Sequence, residues 1–197
     1  MRQPNEIDAC LAASAPSGIL YRQDTDDKGV TTAWCTLASH GDLLPVASWL
    51  KTVGARLSTI TVFQPKAPPA PKVAEGETAP PPPTFFGGVP MSGHAYEVDY
   101  HFDLDGLTLT VVAHVPEGGA IASLTGLFRA ADWPEREMME IYALQVHGHP
   151  DPRRLFIDEG IEGAVLERLI PMSTLTNSAT TKGLWEKILA QTETPSS

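Results

Sequence analysis

AYEVDYHFDLDGLTLTVVAHVP, residues 95–116, decides the fold. Tyr96, Val98, Tyr100, Phe102 and Leu104 alternate with Glu97, Asp99, His101 and Asp103. That is the period-two pattern of a strand with one buried face. Asp105-Gly106 then supplies a favoured two-residue type I′ turn. Leu107, Leu109, Val111, Ala113 and Val115 carry the alternation along a second arm. A two-residue loop sets the register. Leu104 faces Leu107, Phe102 faces Leu109, Tyr100 faces Val111 and Val98 faces Ala113, so the large apolar residues share one side where helices can cover them. The other side sets Glu97 against His114 and His101 against Thr110, and reads as a solvated or partner-facing surface.

Working outward, VTTAWCTL (30–37) and RLSTITVF (56–63) suit strands, and a short addition is expected around 153–157. Strand order does not follow from the pattern. Asn5 is placed to cap a short helix running through Ala13. Asp42 is placed to cap another, with Leu43, Val46, Ala47, Leu50 and Val53 on one face, Pro45 in the first turn and Gly54 at the stop. Ser123–Phe128 reads as a short helical stretch. The expected class is α+β: a predominantly antiparallel sheet with helices packed on one face.

The length of 197 residues fits a single domain, 1–197, with a proline-rich insertion at 64–83 and a C-terminal extension at 172–197. The insertion holds 8 of the 18 prolines, which fix φ and remove donors, so it joins neither helix nor sheet. With 14 Lys+Arg against 24 Asp+Glu, a net charge of -10 argues against broad nucleic-acid or anionic-membrane binding. No apolar run approaches the ~18–20 residues of a spanning helix, so membrane contact is expected only through other subunits. Glu6 and Asp8 interrupt the first apolar stretch, and cytoplasmic residence is the default. Cys10 and Cys35 are too few for a Cys-only iron–sulfur cluster or a structural zinc site within this chain.

Asp132-Trp133-Pro134-Glu135 is a strong helix start, with Asp at the cap, Pro in the first turn and Glu three residues on. The helix that follows, EREMMEIYAL, sets Met138, Ile141 and Tyr142 on one face, with Arg136 within i,i+4 reach of Glu140. On spacing alone Glu135, Arg136, Glu137 and Glu140 form a solvated charged face. Arg153 and Arg154 follow a Gly148-His149-Pro150-Asp151-Pro152 turn that presents two guanidinium groups, either across an interface or back onto Glu135 and Glu137.

The stretch ADWPEREMMEIYALQVHGHPDPRRLFIDE resembles the signature of the 30-kDa subunit of respiratory complex I. Trp133, Pro134, Glu135, Arg136 and Glu137 carry the likeness, with Tyr142, Leu144, Gly148, His149, Pro150, Arg153 and Arg154. Upstream, LKTVGARLSTI, the hairpin and SLTGLFRAADW follow the same layout, and the likeness covers roughly residues 40–158. Glu140 stands where the family usually has Asp and Ala143 where it usually has Gly, so a looser helix end is expected. The chain also lacks the aromatic, Arg-Lys-rich tail common in the family. That tilts the resemblance toward the short subunits of energy-converting membrane-bound [NiFe] hydrogenases.

The resemblance implies a 30-kDa-subunit-like fold and a non-catalytic accessory subunit of an oxidoreductase, with no cofactor of its own. It would dock on a hydrogenase-like large subunit and a small iron–sulfur subunit, peripheral to the cytoplasmic membrane, with iron–sulfur clusters and possibly NiFe in those partners. The residues themselves agree, since no Gly-rich phosphate loop or nucleophile signature is present. Trp133, Pro134, Glu135, Arg136, Glu137, Glu140, Tyr142, Gly148, His149, Pro150, Arg153 and Arg154 are its expected interface or structural motif. Two alternatives stay open: a free-standing interaction module using the proline-rich loop, and a metal-binding protein using His147, His149 and Asp151.

Overall fold

Asp105 and Gly106 both take positive φ, 52° and 88°, as the type I′ turn demands. They join β4 (Tyr96–Leu104) to β5 (Leu107–Val115) in the expected register, Leu104 opposite Leu107 through Val98 opposite Ala113. The computed structural model describes residues 6–69, 83–142 and 144–157. Within them the chain runs α1 (Ile7–Ser14), β1 (Ile19–Thr25), β2 (Thr31–Leu37), a 3-10 turn, α2 (Leu43–Thr52) and β3 (Arg56–Phe63). After the hairpin come β6 (Ala120–Ala122), α3 (Asp132–Ile141) and β7 (Gln145–His147).

The main sheet is ordered β1-β2-β5-β4-β3, antiparallel throughout except where β2 runs parallel to β5. Its inner face is apolar: Ala33, Cys35, Leu57, Ile60, Val98, Tyr100, Phe102, Leu109, Val111 and Ala113 are buried. Leu11 from α1, Leu43, Val46, Ala47 and Leu50 from α2, and Met138 from α3 join the same core. At ~1.5–3 kcal/mol per buried large side chain, this layer supplies most of the driving force. The expected α+β class stands.

Several local expectations are corrected. Asp42 holds the N-cap position of α2 but its side chain does not bond the helix: it is buried, and its Oδ2 accepts the Ser17 N–H at 2.9 Å. Asp132 does not cap α3 either, because the helix begins at Asp132 itself after a 3-10 turn at Arg129–Ala131. Ser123–Phe128 makes a single turn closed by the Phe128 N–H to the Leu124 carbonyl, not a helix. Residues 153–157 form bends; the extra strand is instead β7, parallel to β6. Strand β1 is also new, a largely exposed edge on β2. Ile141 is exposed rather than core-facing. The far side of the hairpin is not simply solvated, since Thr110 and His114 are buried and Phe85 stacks on His114 at 4.1 Å. Gly87 anchors that cover, because a Cβ there would meet the Ala38 carbonyl oxygen at 1.9 Å.

The Asn5 cap, most of the 64–83 insertion and the 172–197 extension lie outside the described residues. The described residues through Phe156 belong to one compact unit.

Candidate functional site

The acid-rich helix α3 gives up most of its charges to its own surroundings. Glu135 sits in its first turn, and its side chain points inward rather than out to solvent. It is 0% exposed. One oxygen takes the Leu124 N–H at 2.6 Å; the other takes the Ser123 hydroxyl at 2.5 Å and the Thr125 hydroxyl at 2.9 Å. Burial raises its pKa above the ordinary carboxyl value, and those three donors with nearby His149 oppose the rise. A buried acid with three donors closes the 123–125 turn against the helix.

His149 locks the turn after β7 to the start of α3. Its side chain is fully buried. Nδ1 accepts the Asp151 N–H at 3.0 Å, which places the ring proton on Nε2, 3.2 Å from the Asp132 carbonyl oxygen. Gly148 carries the turn at φ 83°. Arg136 lies on the neighbouring helix face. Its Nε donates to the Arg153 carbonyl at 2.9 Å and its Nη2 to the Arg154 carbonyl at 2.7 Å, with Nη1 3.8 Å from Asp151. Glu140 completes the clamp, its Oε2 accepting the Leu155 and Phe156 N–H groups at 2.7 and 2.8 Å. The Glu140 side chain, one methylene longer than Asp, reaches both amides. Ala143 lies outside the described residues.

This geometry corrects three expectations. Glu135, Arg136 and Glu140 are not a solvated charged face: they hold backbone groups of other segments. Arg136 extends to the 151–154 turn rather than lying along its own helix toward Glu140. Arg153 pairs neither with Glu135 nor with Glu137; its Nε and Nη2 grip the two Asp151 oxygens at 2.7 Å each. That grip holds the Asp151 carboxyl well below the usual carboxylate range. The same contacts do not assemble His147, His149 and Asp151 as a ligand set. His149 Nδ1 is engaged within the turn and Nε2 at the start of α3, His147 faces solvent, and among the described residues no group of three His, Cys, Asp or Glu is placed to hold a metal ion.

Ser123, Leu124, Thr125 and Asp151 are the partners that sequence reasoning missed. Only the Ser-x-Thr pattern shortly ahead of α3 hinted at the first three.

Two large apolar side chains of α3 stay outward. Trp133 is 66% exposed and Ile141 40% exposed, and with exposed Glu137 they follow at i, i+4 and i+8 along α3. Phe156 is exposed as well. Arg153 is 73% exposed at its side chain, so Asp151 turns it without burying it. Beside this stripe, Pro134, Glu137, Met138 and Tyr142 face Thr59–Phe63 of β3 across a cleft of about 390 Å³.

A five-stranded sheet, helices on one face and a buried acid–arginine brace define a small α+β domain whose motif charges serve its architecture. A family model described as "Respiratory-chain NADH dehydrogenase, 30 Kd subunit" matches residues 37–175, and the chain belongs to that family. The C-type subunit of the NADH-quinone oxidoreductase of Mesorhizobium japonicum is 34% identical over 86 residues, 43% of this chain and 43% of that protein. The J-type subunit of the NAD(P)H-quinone oxidoreductase of a Synechococcus strain is 45% identical over 49 residues, 25% of this chain and 26% of that protein. The matched stretch therefore spans less than half the length of either relative. The solved trypsin-resistant fragment of Nqo5 shares the fold at a TM-score of 0.50 and 19% identity, covering 74% of this chain and 98% of the fragment. Among the described residues no helix is long and apolar enough to cross a membrane.

Proposed function

We propose that this chain is an accessory docking subunit of a membrane-associated electron-transfer oxidoreductase, of the complex I or energy-converting [NiFe]-hydrogenase kind. It sits against a hydrogenase-like large subunit and a small iron–sulfur subunit on the cytoplasmic face. The redox groups, iron–sulfur clusters and possibly NiFe, belong to those partners, and membrane contact runs through them. One observation carries the reading. The motif turns Glu135, Arg136 and Glu140 into an internal brace and leaves a tryptophan exposed on the same helix, with Glu137 and Ile141 one and two turns on. Exposed aromatics beside a rigid charged frame are what protein interfaces use as anchors. Family membership supports the same reading.

The roles within the motif then divide. Trp133, Glu137, Arg153 and Arg154 meet the partner; Pro134, Tyr142, Gly148 and Pro150 shape the surface; Glu135, Arg136, Glu140 and His149 hold it. The test is recovery of the tagged chain with its complex from membranes, beside circular dichroism of the purified variant. Trp133→Ala should keep the fold and lose ~2 kcal/mol or more of binding, a drop of about thirtyfold in affinity. Glu137→Ala or Arg153→Ala should keep the fold and lose ~1 kcal/mol if at the rim, more if desolvated. Normal recovery for all three variants would remove the motif from the interface.

A further inference from the structure

We propose that the outer edge of β3 accepts an extended strand from a partner protein, with alternate apolar side chains of that strand filling the cleft beside α3 and a basic residue set against Glu137. The proposal rests on the docking-subunit reading and names the surface and the form of the partner.

Strand β3 ends the sheet order, and among the described residues its main chain pairs only with β4. Half of its N–H and C=O groups therefore point away from the sheet. Exposed edges invite pairing, and proteins blunt them with charges, prolines or bulges. The start of β3 is blunted in this way: Arg56 pairs with Asp103 at 3.2 Å, and the register shifts between Leu57 and Thr59. Beyond the shift the sequence offers no such protection. Thr59-Ile60-Thr61-Val62-Phe63 holds no charge, no proline and no glycine, and four of its five residues are β-branched.

The unprotected stretch coincides with the cleft. Thr59 to Phe63 form one wall and Pro134, Met138 and Tyr142 the other, with Glu137 the one charged residue lining it among the described residues. Phe63, in the β3 wall, is 50% exposed, and Ile141 on α3 is 40% exposed. A row of outward main-chain donors and acceptors selects an extended backbone, because a helix satisfies its own. The cleft lining is mixed, with Ile60, Val62, Pro134 and Met138 beside Thr59, Thr61 and Glu137, and its apolar part selects alternate apolar side chains on that strand. Glu137, on a chain of net charge -10, selects Lys or Arg on the incoming segment and works against a second copy of this chain, which would bring its own acidic charge to the same place.

The test is amide hydrogen exchange over residues 59–63, in the isolated chain and in the complex purified from membranes through a tag on this chain. The expected result is alternate amides of this stretch slowed by at least ~tenfold on assembly, beyond the protection that β4 already gives. Other subunits recovered with these amides exchanging as in the isolated chain would overturn the strand proposal and leave the docking reading standing. So would a smaller or uniform slowing, which marks coverage without strand pairing, or full protection already present in the isolated chain. Recovery of this chain with no other protein would overturn the docking reading and the strand proposal together.

Discussion

Ser123, Leu124 and Thr125 deliver three donors to one buried carboxylate, so Glu135 matters to this protein as an acceptor rather than as a surface charge. Removing it leaves an amide and two hydroxyls to find new partners in a largely buried site. Glu135→Ala should cost ~3–5 kcal/mol, because unsatisfied buried groups and broken buried charges are among the most expensive single changes. Glu135→Gln should cost only ~1–2 kcal/mol, since both hydroxyls can rotate to accept from the new amide. Glu137→Ala, two residues along and exposed, should move stability by less than ~0.5 kcal/mol. Urea midpoints of the three variants check the ordering; equal values for Glu135→Ala and Glu137→Ala would refute the brace. In the sequence Glu135 was visible as part of a motif, but its burial was not. A run reading Glu-Arg-Glu looks solvated until the segments it serves, here 123–125 and 151–156, are known to fold back onto it. Helical spacing names the neighbours along one helix, and it is blind to partners in segments that return from elsewhere in the chain.

At the scale of single elements, the hairpin was legible to the residue pair because alternation and a two-residue turn over-determine register. Helix α2 was legible for a similar reason, its buried residues recurring at helical spacing. Strand β1 was not, because most of it is exposed and its sequence ILYRQDT shows no clean alternation. Strands β6 and β7 are three residues each, too short to carry a period. The far face of β4 also holds a titration that no pattern revealed. Burial, with Glu97 adding to it, pushes the Asp99 carboxyl from 3.8 up to about 6, and its Oδ1 is buried with no hydrogen-bond partner. A raised pKa means that the folded state binds this proton more tightly than the unfolded chain does. The contribution is therefore intact below about pH 4 and is lost as pH rises through about 6. Because Asp99 is only partly buried, the loss is ~1–2 kcal/mol, less than the full linkage value. Asp99→Asn should be more stable than the parent by that amount at pH 8 and equal or weaker at pH 4. Thermal melts across that range decide it, and a parent and variant that differ equally at both ends would exclude Asp99 as the cause.

Across the whole molecule, the two cysteines report on different depths. Cys35 lies on β2 between β1 and β5, with its thiol pushed up to about 12 by burial, whereas Cys10 on α1 is half-buried. The thiolate is the reactive form. A thiol reagent should therefore label Cys10 of the native chain quickly, and Cys35 only at the rate at which the sheet opens, with denaturant raising the Cys35 rate steeply. Comparable native rates at both positions would mean that the β1–β2 pair detaches on its own. The sheet order also sets a schedule for synthesis. Thr32 of β2 pairs with Thr108 of β5, while β3, β4 and β5 form a run of neighbours joined in sequence. At ~5–20 residues per second, β2 leaves the ribosome ~4–15 seconds before its parallel partner exists. During that interval the β2 edge that β5 will cover is open, and its apolar residues, Ala33, Cys35 and Leu37, are uncovered except by α1 and α2. Nascent-chain helpers therefore have their natural opening on this protein at the first hairpin, before the later meander is made.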